Sequence, residues 1–332
     1  MQIHEINYLI DKINAKIVVL LCHHNADPDA ICSAFAFFRL LKRLHPKLTV
    51  EIAAAHGPSR LSKHLLSSLP VELTSEPHIK EADVIVLLDT NTTQQLDEWS
   101  EQVEASEAPI VVIDHHACHS ETERLAKIYV AEEEASSTCE IIYRFFKEAR
   151  IELDETDARA LFLGIAFDTR HFILANSSTF EAVAHLIEAG VDAKETLALL
   201  SLPTSHSERV ARLKAGQRVK VKKIGEWLIA LSRVSAYQAS AARALVRLGA
   251  HVAVVAGRKE DTLRISLRAD GDFYKETGLH LGRDIANPLG EHLNGMGGGH
   301  STSAGVNGVG DVDAGFKRCM ELLRKHLAKN AD

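Results

Sequence analysis

KIVVLLCHHNADPDA, residues 16–30, carries both a fold signal and a chemical one. Its first half, KIVVLLC (16–22), is an unbroken aliphatic and β-branched run, the pattern of a strand buried on both faces. The second half turns abruptly polar, and AICSAFAFFRLLKRL (30–44) then repeats apolar residues at helical spacing. TVEIAAA (49–55), DVIVLLD (83–89) and PIVVID (109–114) are three further runs of the first kind, with helical stretches between them. Such alternation predicts an α/β fold with a parallel sheet covered on both faces. Helices are expected over 135–149, 154–167 and 177–189. The mostly helical stretch 195–217, broken at Pro203, is expected to link a domain of residues 1–194 to a second one of residues 218–332. In the second domain, strands are expected over 226–234, 251–257 and 261–269, and helices near 236–249, 279–293 and 312–328. That is a smaller α/β domain.

Composition narrows the class. At roughly 150 residues per domain, 332 residues suit two domains. The hydrophobic fraction of 46% and charged fraction of 25% are those of a soluble globular chain. No apolar run approaches the roughly 20 residues that span a bilayer, and MQIHEINYLIDKINAK is too mixed in charge for a secretory signal. The five cysteines are odd in number and contain no CxxC, so a reducing, cytoplasmic setting without disulfides is expected. Membrane, secreted, fibrous and disordered classes are thereby excluded. The net charge of -7 hides an asymmetry: residues 1–204 hold 17 Lys+Arg against 32 Asp+Glu, and residues 205–332 hold 21 against 13. An acidic lobe suits a metal and a basic lobe an anion, although two ordinary domains can differ this way by chance.

The chemistry lies where the strands end, the edge at which open parallel sheets bind ligands. The first strand runs into His23-His24-Asn25-Ala26-Asp27-Pro28-Asp29, the third ends at Asp89, and the fourth at Asp114-His115-His116. The helix over 154–167 ends at Asp168. Each has an ordinary reading alone, since Asp caps helices and forms turns and Asp27-Pro28 suits a capped helix start. Together at one sheet edge they do not, because five carboxylates in one crevice repel one another unless cations neutralise them. Imidazole with carboxylate suits Mn²⁺, Zn²⁺, Fe²⁺ or Co²⁺, and the carboxylate excess leans to Mn²⁺, with Mg²⁺ a further option. There are ligands enough for two divalent ions, about 3.5–4 Å apart, to clamp a phosphoryl displacement by an activated water.

HHNADPDA, VLLDT, IDHH and GIAFDT, in that order, resemble the four motifs of the DHH phosphoesterase superfamily, which includes RecJ-type nucleases. GGGHSTSAG (297–305) resembles the signature of the DHH-associated C-terminal domain. The resemblance covers essentially the whole chain and implies an active site in the cleft between the two domains. It implies one metal held by His23, Asp27 and Asp89, and another by Asp29, Asp89, His115 and Asp168, with Asp89 shared. His116 would face the substrate phosphate as electrophile or general acid, oriented by Asp114. Asn25 could donate to a phosphoryl oxygen. In the basic lobe Gly298, Gly299 and His300 would cradle an anion, with a plain flexible turn as the alternative. Arg264, Ser266 and Arg268 alternate on one strand and so share a face, and the resemblance implies that Arg268 is the better substrate contact. Cys32 and Cys139 stand where the family pattern expects Gly, which is read as small-residue packing ahead of metal binding.

No stretch of these 332 residues resembles the extra oligonucleotide-binding fold of long RecJ nucleases, a CBS-type insert or a sensory domain. This is similar to the nanoRNase/pAp-phosphatase group and to short archaeal RecJ-like exonucleases. The expected activity is hydrolysis of short single-stranded RNA or DNA to mononucleotides. A pAp-type nucleotide phosphatase, a cyclic or linear dinucleotide phosphodiesterase, and a RecJ-like partner in a replication or repair complex are the alternatives. A homodimer and a helicase partner are compatible with each, and no membrane partner is expected.

Overall fold

The computed structural model describes residues 2–259 and 262–328; Asp261, the first residue of one expected strand, lies outside them. Two compact units divide the chain, Met1–Leu202 and Pro203–Asp332. The division falls inside the stretch expected to be a linker. The helix Ala193–Leu199 packs within the first unit against the helix Glu155–Asp168, and the helix His206–Gln217 within the second against the helix Gln238–Arg247.

In the first unit β1 (Ile17–Cys22), β2 (Thr49–Ala54), β3 (Val84–Leu88), β4 (Ile110–Asp114) and β5 (Ala126–Ala131) form one sheet of order β2-β1-β3-β4-β5. Every pairing is parallel. Because β1 lies between β2 and β3, the connections leave it in opposite directions, and the crevice at that reversal is where such sheets bind ligands. One face of the sheet is covered by the helices Pro28–Leu44, Thr138–Ala149 and Glu155–Asp168, with Phe35, Phe37, Phe145, Phe146 and Phe162 fully buried. The other face buries Val19, Leu21, Ile85, Leu87 and Val112 against Leu96, Trp99 and Val103. Burial on both faces is why the strands read as unbroken apolar runs. β5 escaped that reading because it is a partly exposed edge strand, AKIYVA. The amphipathic N-terminus is the helix Gln2–Lys12, which buries Ile3, Ile6, Leu9 and Ile10.

The helices Pro28–Leu44 and Glu155–Asp168 run antiparallel. At one end Arg39 and Arg43 grip the fully buried Asp157 and also its neighbour Asp154, which caps the second helix through Thr156 and Asp157. At the other end Asp29, in the first turn of one helix, therefore meets Asp168, the last residue of the other.

In the second unit β6 (Lys220–Ile224), β7 (Trp227–Arg233), β8 (Val252–Lys259), β9 (Thr262–Ala269), β10 (Met296–Gly299) and β11 (Ser303–Val309) form a sheet of order β10-β11-β9-β8-β7-β6. Only β7 and β8 pair in parallel. The helix Gln238–Arg247 covers one face and Val312–Ala328 the other. The helix expected near 279–293 is a π-helical turn, Leu281–Ala286, followed by Asn287–His292, whose Pro288 has no amide to donate. Among the described residues no helix is long and apolar enough to cross a membrane.

Candidate metal centre

The site is assembled from the ends of β1, β3 and β4 and from two helix termini. His23 follows β1, and its Nε2 lies 3.8 Å from Asp89 Oδ2 and 4.0 Å from Asp27 Oδ1. Asp27 is indeed the N-cap of the helix Pro28–Leu44, accepting from the amides of Asp29 and Ala30 through Oδ1. The ordinary reading of this residue and the chemical one therefore hold together. Asp29, fully buried, accepts from the amides of Thr138 (2.7 Å) and Cys139 (3.0 Å), the first turn of the helix Thr138–Ala149. A helix N-terminus is a natural seat for a carboxylate.

Asp89 sits just past β3 in a left-handed conformation, φ 53°. Its Oδ1 accepts from Thr138 Oγ1 and lies 3.6 Å from both His115 Nε2 and His116 Nδ1. Its Oδ2 faces His23. One carboxylate thus presents its two oxygens to two different imidazole groups. His115 Nε2 lies 3.0 Å from Asp168 Oδ2 but out of line for a hydrogen bond. Asp114 is fully buried; its Oδ1 accepts from the His116 amide and stands 2.7 Å from His116 Nδ1, leaving Nε2 of that half-exposed ring as the free nitrogen. Asn25 is exposed at φ 53°, on the loop between His24 and Ala26.

Three groups of potential ligands result: His23, Asp27 and Asp89; Asp29, His115 and Asp168; and Asp89 with Asp114, His115 and His116. Burial, then Asp168 and Asp27, push the Asp29 carboxyl well above its ordinary value, despite the helix N-terminus. Burial, then Asp29 and Asp27, do the same to Asp89, and burial with Asp168 raises Asp27. Burial disfavours charge on His115, but Asp168, Asp89 and Asp114 outweigh it and raise its pKa. The hydrogen bond to Asp114 raises that of His116. Buried carboxylates raised by one another, with His115 Nε2 and Asp114 Oδ2 buried and without a hydrogen-bond partner among the described residues, fit a divalent cation.

A consequence for stability follows. A folded-state pKa above the unfolded one means that the folded chain binds more protons, so the stability this gives is present below about pH 3.8 and is lost as pH rises through the raised values. Calorimetry of chelated protein should show a melting temperature that the Asp29–Asp89 cluster depresses increasingly as pH rises to neutrality. Added divalent metal should reverse this, by about 2.7 kcal/mol per site at a hundredfold excess over Kd. A metal-induced rise that shrinks with increasing pH would contradict the account.

Thr138 went unread in the sequence, although its hydroxyl and amide fix Asp89 and Asp29. The available signal was SSTCE, in which Ser137 caps the helix by accepting from the Glu140 amide. Cys139 and Cys32 are fully buried, and burial together with Asp29 pushes both thiols up, as expected of packing residues kept protonated.

The expected substrate contacts other than Asn25 belong to the second unit. Arg264, Ser266 and Arg268 lie on one face of β9, opposite Asn307, Gly305 and Ser303 of β11. Burial and the nearby Arg243 lower the pKa of Arg268, whose Nη1 donates to the Leu267 carbonyl at 2.7 Å. The glycine run is not a flexible turn: it is strand β10, with Gly298 opposite Gly305 and Gly299 opposite Ala304. A Cβ on Gly297 would stand 1.8 Å from the Ala286 carbonyl oxygen, and Gly299, at φ 140°, would meet the Ser303 oxygen at 2.4 Å. At Gly298 the nearest atom would be 3.7 Å away. Packing demands two of these glycines and leaves Gly298 unexplained. His300 is exposed at the end of the strand.

A family model described as the DHH family, N-terminal domain, matches residues 16–165. An uncharacterized protein of Methanocaldococcus jannaschii is 36% identical over 301 residues, 90% of this chain and 89% of that one. The chain belongs to the DHH family. Asp114-His115-His116 is the tripeptide behind that name, and the family's members are phosphoesterases. This DHH-family chain is also 29% identical to a probable manganese-dependent inorganic pyrophosphatase of Streptococcus pyogenes over 208 residues, 62% of each. The crystal structure of an exopolyphosphatase-related protein from Bacteroides fragilis shares the fold, with a TM-score of 0.68 at 20% identity over 100% of this chain and 98% of that one.

Proposed function

We propose that this chain hydrolyses short single-stranded oligonucleotides to mononucleotides with two divalent cations, Mn²⁺ foremost. The observation that carries the reading is Asp89, whose Oδ2 faces His23 while its Oδ1 faces His115 and His116. His23, Asp27 and Asp89 would hold one ion, and Asp29, Asp89, His115 and Asp168 the other. When bound, such ions supply Lewis-acid stabilisation of phosphoryl oxygens and an acidified water. His116 faces the substrate phosphate. Asp114 fixes its Nδ1, and its raised pKa keeps a proton available at Nε2 for the leaving oxygen. Asn25 donates to a phosphoryl oxygen from its exposed loop.

The first unit carries a formal charge of -15 and the second +8, which supports a metal-holding half and an anion-gripping half. Arg268, Gly298, Gly299 and His300 grip the terminal nucleotide. Gly298 is the informative one, because its side-chain space is open. Gly298→Ala is expected to keep the melting temperature and raise KM several-fold with kcat nearly unchanged, whereas Gly297→Ala is expected to destabilise the second unit by about 1–3 kcal/mol. An unchanged KM for Gly298→Ala would remove that glycine from the substrate site.

The deciding experiment is Mn²⁺-dependent hydrolysis of end-labelled single strands of about 2 to 24 nucleotides, with pAp alongside. A ladder of mononucleotides is the expected result. Hydrolysis of pAp or dinucleotides alone would make the chain a small-molecule recycler. Bound metal with no hydrolysis would favour a partner role in a larger complex.

A further inference from the structure

Within the second unit, the helix Gln238–Arg247 packs across β8 and β9 and beside the helix His206–Gln217. Between the two helices lies a groove of about 340 Å³, lined by Arg212, Leu213, Ser240, Arg243, Arg247 and Leu248. Three guanidinium groups border it, and Glu208, the only carboxylate tied to it among the described residues, is already engaged by Arg212 and Ser240. Arg243 and Arg247 are exposed and have no hydrogen-bond or ion-pair partner among the described residues.

Arg243 and Arg247 stand one turn apart on a helix, QASAARALVR, that carries no acidic residue, so a single phosphate can meet both. Beside the cations stand two large apolar side chains left in the open, Leu213 at 75% and Leu248 at 78% exposure. Cations next to an apolar shelf match a phosphodiester-linked nucleotide, whose phosphate takes the guanidinium groups and whose base covers the leucines. The groove lies beside the strand face that carries Arg268, since the helix of Arg243 packs on β9 and Arg243 acts electrostatically on Arg268.

We infer that this groove is a binding subsite for a nucleotide of the substrate strand beyond the terminal one, with Arg243 and Arg247 as its phosphate contacts. The inference rests on the oligonucleotide reading above and deepens it, because it makes grip on the substrate depend on strand length. Arg243 and Arg247 take no part in the chemical step.

Binding is measured by fluorescence anisotropy on the full chain in chelator, so that nothing is cleaved, with labelled single strands of about 2, 6 and 12 nucleotides. Wild type is expected to bind the 12-mer at least tenfold more tightly than the dinucleotide. Arg243→Ala and Arg247→Ala should each weaken the 12-mer roughly tenfold, reduce the slope of log affinity against log salt by about 0.7, and leave the dinucleotide unchanged. Arg247→Lys should retain most of the affinity, because the charge remains. Length-independent binding by wild type, or 12-mer binding by both Ala variants equal to wild type, would overturn the inference. Mn²⁺-dependent hydrolysis of the same strands by the same proteins reports separately on the metal centre. Absence of hydrolysis by wild type at all three lengths would sink the hydrolytic reading while the anisotropy still decides the groove.

Discussion

Asp89→Asn is expected to lower kcat/KM by at least ~10³-fold, about 4 kcal/mol of barrier, with the chain still folded. Asn is close in shape and tolerates the left-handed backbone at φ 53°, and its carbonyl oxygen can still accept from Thr138 Oγ1. What is lost is the charge that two sets of imidazole and carboxylate groups share. Because Asp89 is pushed well above its ordinary pKa by burial and by Asp29 and Asp27, its neutral replacement should leave the metal-free protein at least as stable as wild type. Metal titration by calorimetry should show weakened binding at both proposed sites, where loss of a ligand from only one set would weaken one. Activity within tenfold of wild type would remove Asp89 from the centre of the chemistry.

Asp157→Ala is expected to cost about 3 kcal/mol of stability, a fall in melting temperature of roughly 6–12 °C for a unit of this size. The carboxylate is fully buried and holds Arg39 and Arg43, so its removal empties a polar pocket between two core helices. Both arginines are about a quarter exposed and keep Asp154, which places the expected cost at the low end for a broken buried pair. The same variant should weaken metal binding at a distance. The two helices clamped by this network carry Asp29 and Asp168 at their opposite ends. Differential scanning calorimetry with and without metal checks both effects. A loss below about 1 kcal/mol would show that Asp154 alone secures the helix pair.

Much of the first unit is legible from sequence because its strands are buried on both faces: β1, β3 and β4 read as apolar runs ending in the acidic and imidazole residues that meet in the fold. β5 is not legible, since Lys127 and Tyr129 leave it half exposed at a sheet edge. β10 and β11, MGGG and SAGVNGV, are strands made of residues with little preference for strand. β11 is held there by pairing with β9 and β10 by pairing with β11, which no local pattern announces. In the candidate metal centre the acidic and imidazole residues announce themselves, whereas Thr138 does not. A hydroxyl that fixes a carboxylate forty-nine residues away leaves no trace in its own neighbourhood.

Gly164 lies one helical turn before Asp168, where a Cβ would stand 2.2 Å from Cys139 Sγ and 2.6 Å from Asp29 Oδ1. Positions 139 and 164 therefore draw on a single allowance of volume beside the Asp29 carboxylate. A larger residue at 139 would press on the helix at 164, and the Asp29 oxygen excludes a Cβ at 164 even where residue 139 is smaller. Position 164 is thereby confined to glycine by a carboxylate that the amides of Thr138 and Cys139 keep in place.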